Sequence, residues 1–168
     1  MDATPAAIVV PAPSFRGLPH GWRQFNDAPD FLTRRGANAG AVATSWRYRP
    51  NSLGWAGSLP RDGIVVNVTL IRRNPGKTLG NLCGRTPHLR DYPLVRKLPL
   101  RLPRTTTQTF EGADGIPEYR IFGRIGDSYN FEVRVVIDRH RPTPALRNSA
   151  QRGVSAIRFP RWPTPARC

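Results

Sequence analysis

A chain of 168 residues with 39% apolar content can fill one core and falls short of what two comfortable domains need. Its 18 prolines and 15 glycines signal many turns yet stay below the level of a disordered or collagen-like chain. Net charge is +15, and no run approaches the roughly 18 apolar residues of a membrane span, so a transmembrane segment is not expected.

Residues 1–17 read as an extended lead-in, 18–160 as one domain and 161–168 as a loose Pro-rich tail. The N-terminal MDATPAAIVVPAPSF lacks the basic opening of a signal peptide. It could be what remains after one, or reflect a start codon placed too far downstream. Leu18, Pro19, His20 and Gly21 turn the chain into a short first strand reaching Phe25, with Trp22 as anchor. Residues 26–40 form a loop with at most a helical turn around Phe31 and Leu32. Over 41–49, Val42, Thr44, Trp46 and Tyr48 alternate with Ala43, Ser45 and Arg47, a second strand. The connection at 50–60 is rich in turns and carries Trp55.

The clearest element follows. Pro60, Arg61, Asp62 and Gly63 make a turn that opens into a β-branched run. Ile64, Val66, Val68 and Leu70 share one face, and Val65, Asn67, Thr69 and Ile71 the other. That is the pattern of an antiparallel strand with one face fully covered. Residues 74–99 form a long irregular segment holding Cys83, His88 and Tyr92, the first place to look for a binding role. Residues 100–110 read as a strand that Pro103 confines to an edge or a bulge. Residues 118–125 and 129–138 flank Gly126, Asp127 and Ser128 as a β-hairpin. In its second arm Phe131, Val133, Val135 and Ile137 point inward, while Glu132, Arg134 and Asp138 point out.

One helix is well signalled: Thr143 caps it and Pro144 takes the first position. Leu146, Ala150, Val154 and Ile157 form its apolar stripe, with Arg147, Gln151, Arg152 and Ser155 on the solvent side. Gly153 weakens it by about 1 kcal/mol and marks close packing on the sheet. Arg158 and Phe159 end the helix or make a short last strand. The fold class expected is α+β: a mostly antiparallel sheet of five to seven strands, the C-terminal helix on one face and the other face partly solvated.

Chemistry is harder to find. Glu118 and Glu132 could face each other across the hairpin and imitate an acid/base couple. Cross-strand pairing instead favours exposed carboxylates matched to Arg120 and Arg134. His20, His88 and His140 stand alone, and Cys83 with His88 gives two ligands at a loose spacing where a metal site needs more. No catalytic residue, metal or cofactor is therefore expected. No nucleophile elbow or dinucleotide fingerprint occurs, and Gly76-Lys77-Thr78 lacks the first glycine of a phosphate loop. Asn67-Val68-Thr69 matches a glycosylation acceptor but lies mid-strand. Cys83 and Cys168 could join the tail to the body, or Cys168 could stay free.

The charge has two explanations. Of the 26 basic residues only Lys77 and Lys97 are lysine, and they run from Arg16 to Arg167 without a block. A polyanion partner (nucleic acid, an anionic envelope polymer or a membrane surface) would account for this, and so would the arginine bias of a GC-rich genome. Either way the chain will adhere to polyanions at low salt. Trp22 and Trp46 read as core anchors on strands. Trp55, Trp162 and Arg161, with His88 and Tyr92, are the candidates for surface binding.

The order Leu18-Pro19-x-Gly21-Trp22, Leu59-Pro60-Arg61-Asp62-Gly63 before a β-branched strand, a hairpin, then Thr143-Pro144-Ala145-Leu146 and Ile157-Arg158-Phe159 resembles uncharacterised small exported proteins of high-GC Gram-positive bacteria. A more distant architectural likeness is to PsbP-like domains. The first resemblance implies export and a signal sequence and brings no catalytic residues; the second implies fold alone. The function expected is a non-enzymatic exported or cell-envelope domain that binds a partner or an anionic surface. A nucleic-acid-binding module, and an enzyme whose site lies in 74–99, are the alternatives.

Overall fold

The computed structural model describes residues 12–25, 39–47, 59–72, 93–106, 108–109, 117–125, 129–139 and 141–161. In chain order the described elements are β1 (Ser14–Phe15), β2 (Arg23–Phe25), β3 (Ala39–Thr44), β4 (Ile64–Arg72), β5 (Gln108–Thr109), β6 (Pro117–Ile125), β7 (Tyr129–Ile137), α1 (Pro144–Ser155) and β8 (Ile157–Arg158). Six strands make one sheet in the order β2-β3-β4-β7-β6-β5, with every neighbour antiparallel. β1 and β8 form a separate antiparallel ribbon. The fold is α+β, as expected, with α1 on one face of the sheet.

The two β-branched strands sit at its centre because they can bury both faces. β4 pairs with β7 in the register Ile64↔Ile137, Val66↔Val135, Val68↔Val133 and Leu70↔Phe131. These eight side chains form the buried layer under α1. Ala41 and Ala43 on β3, and Tyr119 on β6, complete it. Strand period 2 places Val42, Val65 and Val136 on the opposite face, where they form a second, smaller apolar cluster with Trp46 and Leu59.

The Thr143 Oγ1 accepts the Leu146 N–H at 3.3 Å and Pro144 lies at the helix start, so α1 begins as its sequence dictates. It buries Ala150, Gly153 and Val154. At Gly153 a Cβ would stand 2.7 Å from the Trp22 ring and 3.1 Å from Val66, so the missing side chain is what lets Trp22 lie between helix and sheet. Gly123 does the same on β6: a Cβ there would meet Phe131 and Val95 at 2.6 Å.

Several expectations need correction. Of 100–110, only Gln108–Thr109 is strand among the described residues. Residues 100–103 instead lie along α1, held by its side chains. Gln151 accepts the Leu102 N–H on Oε1 at 2.8 Å and donates from Nε2 to the Leu100 carbonyl at 2.9 Å. An amide side chain thus stands in for a neighbouring strand. Four residues back, Arg147 donates to the Pro103 carbonyl at 2.8 Å and to the Tyr119 hydroxyl at 3.2 Å, with its guanidinium 5.3 Å from that ring's centre. Neither Arg147 nor Gln151 is a solvent-side residue; both are half-buried. Gln151→Ala is expected to lower stability by about 2 kcal/mol, since two backbone groups lose their partner; urea unfolding measures it.

β3 ends at Thr44, earlier than 49. There the ladder closes on Ser45, whose Oγ accepts the Ile64 N–H at 2.9 Å. α1 ends at Ser155, so Ile157 is not part of its stripe; the last strand is Ile157–Arg158 rather than Arg158–Phe159, and it recruits Ser14–Phe15 from the lead-in. The expected turn at 126–128, the helical turn at Phe31 and Leu32, and Cys83 and Cys168 lie outside the described residues.

Candidate functional site

Two surfaces carry polar chemistry. The first is the face of the sheet opposite α1. Register brings Asn67 beside Arg134, Thr69 beside Glu132, Arg120 beside Arg134 and Glu118 beside Val136. The Arg134 guanidinium donates to Glu118 from Nε at 2.6 Å and from Nη2 at 3.0 Å, and Arg120 Nε donates to the same carboxylate at 2.8 Å. Arg120 also approaches Glu132 at 3.7 Å. The acid–arginine pairing read from the hairpin is present, but Glu118 is not exposed: its accessible surface is 0%. Arg134 is buried as well, so pointing away from the helix does not mean pointing into solvent.

The two carboxyls of this face are driven in opposite directions. Burial raises Glu118, but the hydrogen bonds from Arg134 and Arg120 outweigh it and hold the carboxyl below the usual glutamate range. Burial dominates at Glu132 and raises it, with Arg120 and Arg134 opposing. Glu118 accepts charge-assisted bonds from both Arg134 and Arg120 and presents no accessible surface. The arrangement ties two strands together.

Asn67 lies within this face, 1% exposed, and neither its amide nitrogen nor its oxygen has a hydrogen-bond partner among the described residues. The facing Arg134 has turned to Glu118. An unsatisfied buried amide costs about 1–3 kcal/mol, so Asn67→Val, which suits a β-strand, is expected to stabilise the protein by that order in urea unfolding. A loss of stability would reveal a partner for the amide.

The second surface is the helix side. Val95, Leu100 and Leu102 pack into the layer under α1, and Gln151 and Arg147 fasten the chain at 100–103. This strap turns Arg96, Lys97, Arg101 and Arg104 to solvent. α1 adds exposed Arg152 and half-buried Arg147, and has no acidic residue. Beyond its end Arg158 donates to the carbonyls of Ser155 and Ile157 at 2.9 Å, and the backbone of exposed Arg16 binds Ala156.

The described residues contain four carboxylates, Asp62, Glu118, Glu132 and Asp138, and none lies here. Glu118 and Glu132 belong to the opposite face. Asp62 sits in the turn before β4, paired with Arg139 at 2.6 Å, and Asp138 is joined by its backbone N–H to the Gly63 carbonyl. Among the described residues the helix side therefore carries exposed cations without a carboxylate, while further exposed arginines (Arg23, Arg47 and Arg61) lie elsewhere.

Of the surface candidates read from the sequence, Arg161 is exposed, two residues beyond Phe159, which packs on Phe131 at 4.8 Å between ring centres. Trp55, His88, Tyr92 and Trp162 lie outside the described residues. Trp22 is a core anchor under α1, and Trp46 is half-buried against the smaller cluster. Sequence reasoning missed Arg101 and Arg104 because it took 100–110 for a strand, and it named 74–99 as a place to look for binding without singling out Arg96 and Lys97. The absence of any acid from 92 to 110 was the available signal. Among the described residues no three His, Cys, Asp or Glu side chains gather as metal ligands, and no helix is long and apolar enough to cross a membrane. No family model, curated protein or solved structure matches the chain.

Proposed function

We propose that this is a non-enzymatic domain that binds an anionic surface through its helix side, and that it works as an exported or cell-envelope-associated protein. The observation that carries the binding reading is a cluster of exposed cations with no described carboxylate among them. Arg16, Arg96, Lys97, Arg101, Arg104, Arg152, Arg158 and Arg161 are exposed on segments packed at one side. A single-sign field of this kind attracts polyanions and weakens with salt. Composition bias alone would distribute the charge over every face. The placement outside the cytoplasm rests on the sequence resemblance.

Retention on phosphocellulose with a rising salt gradient tests the binding reading. Arg101→Gln/Arg152→Gln is expected to elute clearly earlier than wild type. Arg23→Gln/Arg47→Gln removes the same charge from exposed positions in β2 and three residues beyond β3 and is expected to elute near wild type. Equal shifts for the two variants would show that charge acts as a general coat, and the reading would fall.

A further inference from the structure

The strap that crosses the helix side has an unusual tip. Its backbone is pinned on β6, where the Val95 N–H donates to the Arg124 carbonyl and the Arg124 N–H to the Pro93 carbonyl, each at 3.0 Å. Val95 turns inward onto Gly123, and Leu100 is buried under α1. Between these anchors residues 96–99 stand out in solvent. Leu94 is 42% and Leu98 58% exposed, and they are the exposed large apolar side chains among the described residues. Leu94 is bridged to Arg124 and shares its face, opposite α1, so Leu98 is the exposed leucine of the tip, next to Arg96 and Lys97 with Arg101 and Arg104 just beyond.

Exposed leucines serve no purpose toward a phosphodiester polymer, whose binding needs cations and, for single strands, aromatic platforms. Cations beside protruding aliphatic side chains fit a bilayer surface, where headgroup phosphates meet the charges and the boundary of the acyl region receives the apolar groups. Anchoring at both ends means that little ordering is required on binding.

We infer that the anionic surface is a lipid bilayer, entered by Leu98 while Arg96, Lys97, Arg101 and Arg104 meet lipid phosphates. This rests on the proposed helix-side binding and adds an apolar component to it. Charge sets the attraction and Leu98 sets the residence, so binding depends on salt but is not abolished at physiological ionic strength.

The test is co-sedimentation of the full chain with vesicles of phosphatidylcholine alone or with phosphatidylglycerol, at about 150 mM salt. Wild type is expected to sediment with the anionic vesicles only. Leu98→Gln is expected to bind them about tenfold less and to elute from phosphocellulose as wild type does. Leu94→Gln, which removes an exposed leucine from the opposite face, is expected to bind the vesicles as wild type does. Arg101→Gln/Arg104→Gln is expected to bind the vesicles about thirtyfold less and also to elute earlier from the resin. Undiminished vesicle binding by Leu98→Gln, or an equal loss in Leu94→Gln, would overturn the inference, and so would duplex DNA binding that outlasts vesicle binding as salt rises. In either case an early-eluting arginine variant would leave the helix-side reading intact. If that variant eluted as wild type does, the helix-side reading itself would fail.

Discussion

Glu118→Gln is expected to destabilise the protein by about 3–5 kcal/mol, the cost of leaving a buried guanidinium without its counter-ion. Glu118 has no accessible surface and takes both nitrogen contacts of Arg134 as well as one from Arg120. The neutral amide keeps the shape but not the charge. Replacing both partners with leucine removes the buried charges together and is expected to recover most of the loss. Urea unfolding of the single and double variants measures the contrast, and a double variant no better than the single would assign the loss to packing.

The same pair has a pH signature. Glu118 is held below the ordinary glutamate range in the fold, so its stabilisation is complete above that range and is lost as pH falls through the folded value. The Glu118→Gln deficit should therefore shrink in acid. Glu132 is raised in the fold, so the folded state holds its proton more firmly, and stability falls as pH rises past the ordinary range.

The second large effect lies between helix and sheet. Trp22→Ala is expected to cost about 3–5 kcal/mol, because the ring fills the space over Gly153 and Val66. In a solvent-facing helix, Gly→Ala stabilises by about 1 kcal/mol. At Gly153 the new Cβ would meet the ring at 2.7 Å, so Gly153→Ala is expected to destabilise by about 1–3 kcal/mol. In the Trp22→Ala background the clash is absent, and the same change should become stabilising. A favourable effect in both backgrounds would mean that the indole gives way freely.

The parts of the fold legible in the sequence were those decided by local rules. Alternation in β4 and β7 specified both strands and the face that α1 covers, and Thr143-Pro144 specified where the helix begins. Gly153 announced a close contact, though not that Trp22 would make it. The strap was misread because Leu100 and Leu102 repeat with strand period. The partner of the Leu102 N–H is a glutamine side chain 49 residues away, which no local rule contains. Arg147 and Gln151 looked like solvent-side residues for the same reason. Glu118 could be matched to its arginines from hairpin register, yet its burial depends on what covers that face.

The candidate binding surface was legible only as an excess of charge. Its shape depends on α1, the strap and the β1–β8 ribbon, which are distant in sequence and meet on one side of the sheet. Arg161 belongs to that side, whereas the aromatic candidates did not contribute to locating it.

Amide hydrogen exchange with and without long-chain polyphosphate tests most directly whether charge here defines a face. Slowed exchange confined to 93–104 and 144–158, with 23–25 and 61–63 unchanged, is the expected result. Protection spread evenly over the chain, or concentrated at 61–63 beside Asp62, would contradict it.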